Sequence, residues 1–240
     1  MEIAPGIRRL GTGMVNVYLI EEAGAITIVD AGLPGYFGDL EAELTAMGRS
    51  IDDVRAVLLT HAHTDHIGFA ERIRSERGVP IRVHEADAAL ARGEAKQKNE
   101  SGGKIRIVPV ISFLAFGIRK GYLGIKHIAE VSTFDDGARL DVPGAPRVIH
   151  VPGHTAGSAA LHLPSRDAIF VGDAFVTLNV MTGSTGPQLF PNFNADNHQA
   201  FESLRRFDDI EAATVLPGHG VPWTGGLAEA LRLVRAGWSV

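Results

Sequence analysis

The stretch "LLTHAHTDHIGF", residues 58–69, places His61, His63, Asp65 and His66 within six positions, directly behind the apolar run 54–59. Imidazole nitrogen and carboxylate oxygen are the ligands that zinc and its neighbours in the transition series accept. In a tight loop, side chains at 61 and 63 can converge on one ion, and those at 65 and 66 can turn toward a second beside it. A polar loop with backbone-bonded histidines accounts for one such residue more easily than for four. Three other stretches repeat the arrangement. "VIHVPGHTAGS" sets His154 behind a strand expected at 147–150, and "AIFVGDAF" sets Asp173 behind one at 168–171. "TVLPGHG" sets His219 behind one at 213–216. Small residues before each polar group let the backbone approach closely. With no cysteine in the chain, thiolate ligands and disulfides are both excluded, and nitrogen and oxygen must hold any metal.

These side chains need strands that end together. Alternating or continuous apolar runs predict strands at 14–20, 25–29, 54–60, 81–84, 131–134, 139–142, 147–150, 159–163, 168–171 and 213–216. Helical periodicity predicts helices at 39–47, 67–77, 85–92, 107–118, 196–206 and 226–235. The polar segment 93–103 reads as a loop. Two β-rich halves, each with helices, imply two sheets packed face to face and covered by helices. Polar residues at the strand ends then open onto a ligand crevice.

Length and charge narrow the possibilities. A chain of 240 residues can bury a sizeable core, and 45% hydrophobic with 21% charged residues is ordinary for a globular protein. The net charge of −5 gives no basic face for nucleic acid. The N-terminus shows no export signal, so a cytoplasmic location is expected. The most apolar stretch, 107–118, is interrupted by Pro109, flanked by Arg106 and Arg119, and shorter than the ~20 residues that cross a bilayer. No integral membrane segment is expected.

The set of motifs, from "IVDAG" to "PGHG", resembles the metallo-β-lactamase-fold superfamily, in the branch that includes glyoxalase II and lactonases. The resemblance covers nearly the whole chain and implies an α/β fold, a four-layer αβ/βα sandwich of two mixed β-sheets with helices outside. It implies one domain over 1–240, with a lid or insertion at about 93–128. It further implies that His61, His63 and His154 hold a first metal and that Asp65, His66 and His219 hold a second. Asp173 would bridge the two, and Asp30 would support the metal loop from behind; as a plain turn residue Asp30 would be equally at home. Two divalent ions are implied, zinc foremost, with iron or manganese as alternatives.

A carboxylate-bridged pair of ions sits ~3.5–4 Å apart and can hold a hydroxide at neutral pH. The expected chemistry is hydrolysis of an ester, lactone or thioester in a small-molecule substrate by that bridging hydroxide, with Asp65 as a candidate proton shuttle. No G-x-S-x-G elbow is present. Class B β-lactamases lack the bridging aspartate, which argues against antibiotic hydrolysis. Glyoxalase II carries a glutathione-binding helical domain after its last metal histidine, where only residues 220–240 follow here. The alternative on the same fold is an iron-dependent oxidoreductase of the persulfide dioxygenase type.

Segment 104–124 is expected to wall the site, with Phe113, Phe116 and Tyr122 lining an apolar pocket. Equally, it would serve as core or as the interface of a homodimer. His84, His127, His150, His162 and His198 are expected at the surface or bonded to backbone, with His162 facing away from the core. Thr177 and Asn179 read as connecting-loop residues.

Overall fold

Alternation of side chains along short strands gives each sheet two apolar faces, and both are covered. The computed structural model describes residues 1–100 and 103–238. Residues 101 and 102 of the expected 93–103 loop, and 239 and 240 at the end of the chain, lie outside the described residues.

The first sheet has seven strands in sequence order: β1 (Glu2–Ala4), β2 (Ile7–Leu10), β3 (Val17–Glu22), β4 (Ala25–Val29), β5 (Val54–Leu58), β6 (Ile81–His84) and β7 (Ser132–Phe134). Pairing is antiparallel up to β4 and parallel from β4 to β7. The second sheet contains β8 (Arg147–His150), β9 (Ala159–Leu163), β10 (Ala168–Gly172) and, past the separate pair β11 (Val176–Leu178) and β12 (Thr185–Gln188), β13 (Thr214–Pro217). Its order is β13-β10-β9-β8, with only β10 and β13 parallel.

Between the sheets lie Tyr18, Ile20, Val29, Ala56 and Leu58 from the first, and Val148, Leu161, Leu163, Phe170 and Leu216 from the second. The alternate residues Val17, Leu19, Ile26, Ile28 and Val57 face outward onto α1 (Tyr36–Ala46) and α2 (Ala70–Arg77). After the short α3 (Ala88–Ala91), α4 (Ile107–Arg119) and α5 (Asn197–Ser203), the last helix, α6 (Leu227–Gly237), covers Ile149, Ala160, Ile169 and Val215 of the second sheet. The result is a helix–sheet–sheet–helix sandwich, as the motif pattern implied.

Several expected boundaries move for identifiable reasons. Residues 14–16 leave the expected 14–20 strand because their backbone and side chains bond to Tyr36 and to the loop after β13. Residues 139–142 form no strand. Arg139 alone bridges Arg147, and turns at Val142 and Ala145 divert the chain. Strands β1, β2, β11 and β12 had no clear apolar alternation. His162 does leave the inter-sheet core. It is buried all the same, because the outer helical layer covers that face, and its Nε2 donates to Glu211 O at 3.1 Å.

Candidate metal centre

The seven polar residues singled out by the sequence meet at one edge of the sandwich, just beyond β5, β10 and β13. His61, His63 and His154 form one group whose ligand atoms lie within 4.8 Å of one another. Asp65, His66 and His219 form a second such group, and His61, His66 and Asp173 a third. Asp173 lies between the first two: its Oδ2 is 3.4 Å from His154 Nε2, 3.1 Å from His219 Nε2 and 3.7 Å from His66 Nε2. Asp65 Oδ2 is 3.5 Å from His219 Nε2. All seven are buried except Asp65, which faces the cleft above.

Four of the five histidines, His61, His66, His154 and His219, are anchored from behind. Thr60 Oγ1 donates to the Asp30 carboxylate and so accepts from His61 Nδ1 at 3.1 Å. His66 Nδ1 donates to Asp30 Oδ2 at 3.0 Å, and His154 Nδ1 to Asn194 Oδ1 at 2.9 Å. Asn194 is itself oriented by donating from Nδ2 to Asn197 Oδ1. His219 Nδ1 donates to the backbone carbonyl of Met14. A proton fixed on Nδ1 leaves the Nε2 lone pair free, which is how ligating imidazoles are held ready for a metal.

Asp30 also accepts from Thr60 N at 2.7 Å, and it adopts a left-handed φ of 62°, which aspartate tolerates better than most residues. At the far side, Asn16 Nδ2 donates to Pro217 O and Gly220 O, Tyr18 Oη to Pro217 O, and Gly220 N to Gly13 O. Gly218 is required by crowding: a Cβ there would stand 2.1 Å from Asp173 Oδ1.

Two residues in this scaffold carried no readable signal. Asp87 is 1% exposed; it accepts from Ala62 N at 2.9 Å, Thr155 Oγ1 at 2.7 Å and Gly157 N at 2.7 Å. It thereby ties the loop of His61 and His63 to the loop of His154. Asn194 lies forty residues beyond its histidine.

The electrostatics separate the histidines. Burial, reinforced by neighbouring imidazoles, holds His61 well below the ordinary histidine range; for His63 burial and His154 do the same. Burial also lowers His154, although Asp173 and Asn194 oppose it. For His66 burial is outweighed by Asp173, Asp65 and Asp30, which push it up to about 10. Asp173 and Asp65 raise His219 against burial, and those cations in turn hold the buried Asp173 well below the carboxylate range.

Buried polar atoms normally have a partner. Nε2 of His61, His63, His66 and His154 and Oδ1 of Asp173 are buried with none. Imidazole nitrogens and a carboxylate converging without protein partners fit divalent cations that favour nitrogen and oxygen.

Above the cluster is a cleft of about 330 Å3 lined by Thr64, Asp65, Gln97, Asn99, Phe113, Tyr122, Phe190 and Phe193 together with His63, Asp173 and His219. Phe190 and Phe113 stand edge-on to His219. Phe116, expected beside them, turns away and packs on Tyr36 in the core under α4. Asn179 and Thr177 have structural roles: Asn179 Oδ1 accepts from Met181 N and Thr182 N, and Thr177 Oγ1 donates to Val221 O. His84 and His150 stack on each other at 4.0 Å, away from the cluster.

The sequence profile of the metallo-beta-lactamase superfamily matches residues 10–219. The probable metallo-hydrolase YflN of Bacillus subtilis is 27% identical, over 93% of this chain and 87% of its own length. Among solved structures, the metallo-beta-lactamase family protein TTHA1429 from Thermus thermophilus superposes with a TM-score of 0.66 at 26% identity. That match covers 97% of this chain and 79% of the other. TTHA1623, solved in a di-iron-bound form, gives a TM-score of 0.62 at 28% identity, covering 90% and 93%.

Proposed function

The chain belongs to the metallo-beta-lactamase superfamily, and from that membership we propose that it is a dinuclear metal-dependent hydrolase cleaving an ester-like bond of a small molecule. The observation that carries the reading is the convergence of unpartnered Nε2 atoms, those of His154 and His66 nearest, on a buried carboxylate. His61, His63 and His154 would hold one ion and Asp65, His66 and His219 the other, with Asp173 shared and Asp30 orienting His66. When bound, such ions act as Lewis acids toward a carbonyl oxygen and supply a hydroxide nucleophile at neutral pH.

The chain's own residues supply the rest. The Nδ1 anchors hold the imidazoles in one tautomer, so no reorganisation is needed as charge develops. Of the two carboxylates that line the cleft, Asp65 is the more exposed, which supports a role for it in carrying a proton to the leaving group. Phe113, Phe190 and Phe193 exclude water from one wall, while Gln97 and Asn99 offer amides to a polar substrate group. Among the described residues no lysine or arginine lines this cleft, which favours an uncharged ester, lactone or thioester over a phosphodiester. Zinc is the metal we favour; the di-iron form of TTHA1623 makes iron the occupant to test beside it.

Elemental analysis of protein purified without chelator should find about two metal equivalents per chain. A panel of aryl ester, lactone and thioester substrates should show turnover that collapses in His61→Ala. One equivalent or none under full metal supply, or no turnover across the panel, sinks the reading.

A second expected result concerns protons. In the metal-free chain His66, raised to about 10, carries a proton at neutral pH. An entering ion must displace that proton. Metal affinity should therefore rise with pH, by about tenfold per unit for each proton released, until pH passes the His66 value. Calorimetric titration in buffers of different ionisation enthalpy reads the count directly. Uptake with no proton release at neutral pH would contradict the assignment of His66.

A further inference from the structure

Helix α4 is apolar on both sides, and only one side is covered. Inward, Phe113 reaches the cleft and Phe116 the core. Outward, Ile107, Ile111, Leu114 and Ile118 recur at helical spacing, with exposures of 58–76%. Val108, Ile105 and Leu123 extend the same patch, and Leu123 is 88% exposed. A soluble monomer rarely leaves that much contiguous apolar surface in water.

The charge carried by the segment itself has one sign. Residues 103–129 contain Lys104, Arg106, Arg119, Lys120 and Lys126 and no aspartate or glutamate, in a chain whose net charge is −5. Lys120 is paired with Asp39. The other four are exposed, and none has a carboxylate within ion-pair distance among the described residues. Arg106 and Arg119 stand at the two ends of the helix.

We propose that α4 docks the protein on an anionic lipid surface, with the apolar stripe entering the acyl boundary and the basic collar meeting lipid phosphates. An apolar face with a basic surround is the composition that binds such interfaces. A second copy fits less well. Packed against its counterpart in either direction, α4 brings basic ends to basic ends, and its own segment offers no carboxylate to neutralise them. Tyr122 lines the cleft and is 46% exposed beside the patch, so docking brings the mouth of the cleft to the lipid boundary. An amphiphilic substrate could then enter without crossing water. Docking goes beyond the hydrolase reading and does not rest on it, since vesicle binding is measured without substrate.

The test is co-sedimentation of the full chain with phosphatidylcholine vesicles, with and without phosphatidylglycerol. Binding is expected only where phosphatidylglycerol is present, and it should weaken as salt is raised. Ile111→Asp with Leu114→Asp should abolish it; both side chains are exposed, and thermal melting with metal content confirms the fold. Arg106→Glu with Arg119→Glu should weaken it by at least about tenfold. No binding to phosphatidylglycerol vesicles, or binding that survives both pairs of substitutions, overturns the proposal. So does a dimer in light scattering that Ile111→Asp with Leu114→Asp dissociates while vesicles remain unbound, which would assign the face to a second copy. Turnover of a water-soluble ester reports on the metal site separately.

Discussion

Asp173→Asn is expected to lower kcat/KM at least about a thousandfold, corresponding to ~4 kcal/mol of transition-state stabilisation, on whichever substrate the panel identifies. The substitution keeps the shape of the side chain and removes its charge. Asp173 is 3% exposed, and its Oδ2 faces His154, His66 and His219 at 3.1–3.7 Å. Two divalent ions beside it would lose the single anion that both can share. An asparagine would also turn either a weak carbonyl or an NH2 donor toward imidazole lone pairs. The expected loss therefore includes at least one metal equivalent, read by elemental analysis beside the kinetics. The same variant separates the charge from the metal. Without Asp173 as partner, His66 and His219 lose their largest upward influence, and the metal-free variant should release fewer protons on metal uptake. A variant that keeps both ions and stays within tenfold of the parent removes Asp173 from the centre.

Asp87→Ala is expected to cost the most in stability, about 4 kcal/mol. Three donors, Ala62 N, Thr155 Oγ1 and Gly157 N, converge on one buried carboxylate. Hydrogen bonds to a charged acceptor contribute ~1.5–3 kcal/mol each, and a buried donor left without a partner costs ~1–3 kcal/mol. The terms overlap, since Thr155 Oγ1 retains Ser158. Gly157 packs so close that a Cβ on it would lie 2.6 Å from Asp87 N, which leaves little room for a water to replace the lost carboxylate. At ~2–4 °C per kcal/mol for a chain of this size, the melting midpoint should fall by roughly 10 °C. Because Asp87 joins the loops of His61 and His154, metal affinity should fall too, by about 10–100-fold, as removal of supporting partners does elsewhere. Asp87→Asn, which keeps the shape and one acceptor, should recover part of the midpoint. A midpoint unchanged in the alanine variant would show that the three bonds are replaceable.

The gathering of these polar residues was readable because they obey a local rule. His61, His154, Asp173 and His219 each follow an apolar strand within a few positions, and glycine or proline precedes the last three. The fold was readable for the same reason wherever strands were apolar on both faces, as in Val54–Leu58 and Ala168–Gly172. What escaped lacks any local signature. Asp87 resembles any acid at the start of a helix, and Asn194 any polar loop residue. The Met14 carbonyl that holds His219 belongs to the backbone and leaves no trace in side-chain identity. Phe113 and Phe116 looked equivalent, three positions apart on an apolar helix. Only the angle at which α4 lies over the core sends one to the cleft and the other to Tyr36. His162 was assigned to the right face, but the helices that bury that face come from a segment far along the chain.

The grip of Met14 on His219, together with that of Gly13 and Asn16 on the residues around it, has a consequence for biosynthesis. Closing a contact across some 205 residues requires everything from Met14 to His219, and contacts of such separation form late. During translation His61, His63, Asp65 and His66 emerge ahead of His154, Asp173 and His219. A partial cluster of that kind would bind ions weakly and with little selectivity. Only once β13 has emerged can the loop of Gly13, Met14 and Asn16 clasp the residues that follow it and complete the proposed second group. The proposed group of Asp65, His66 and His219 thus closes only after β13 has been made.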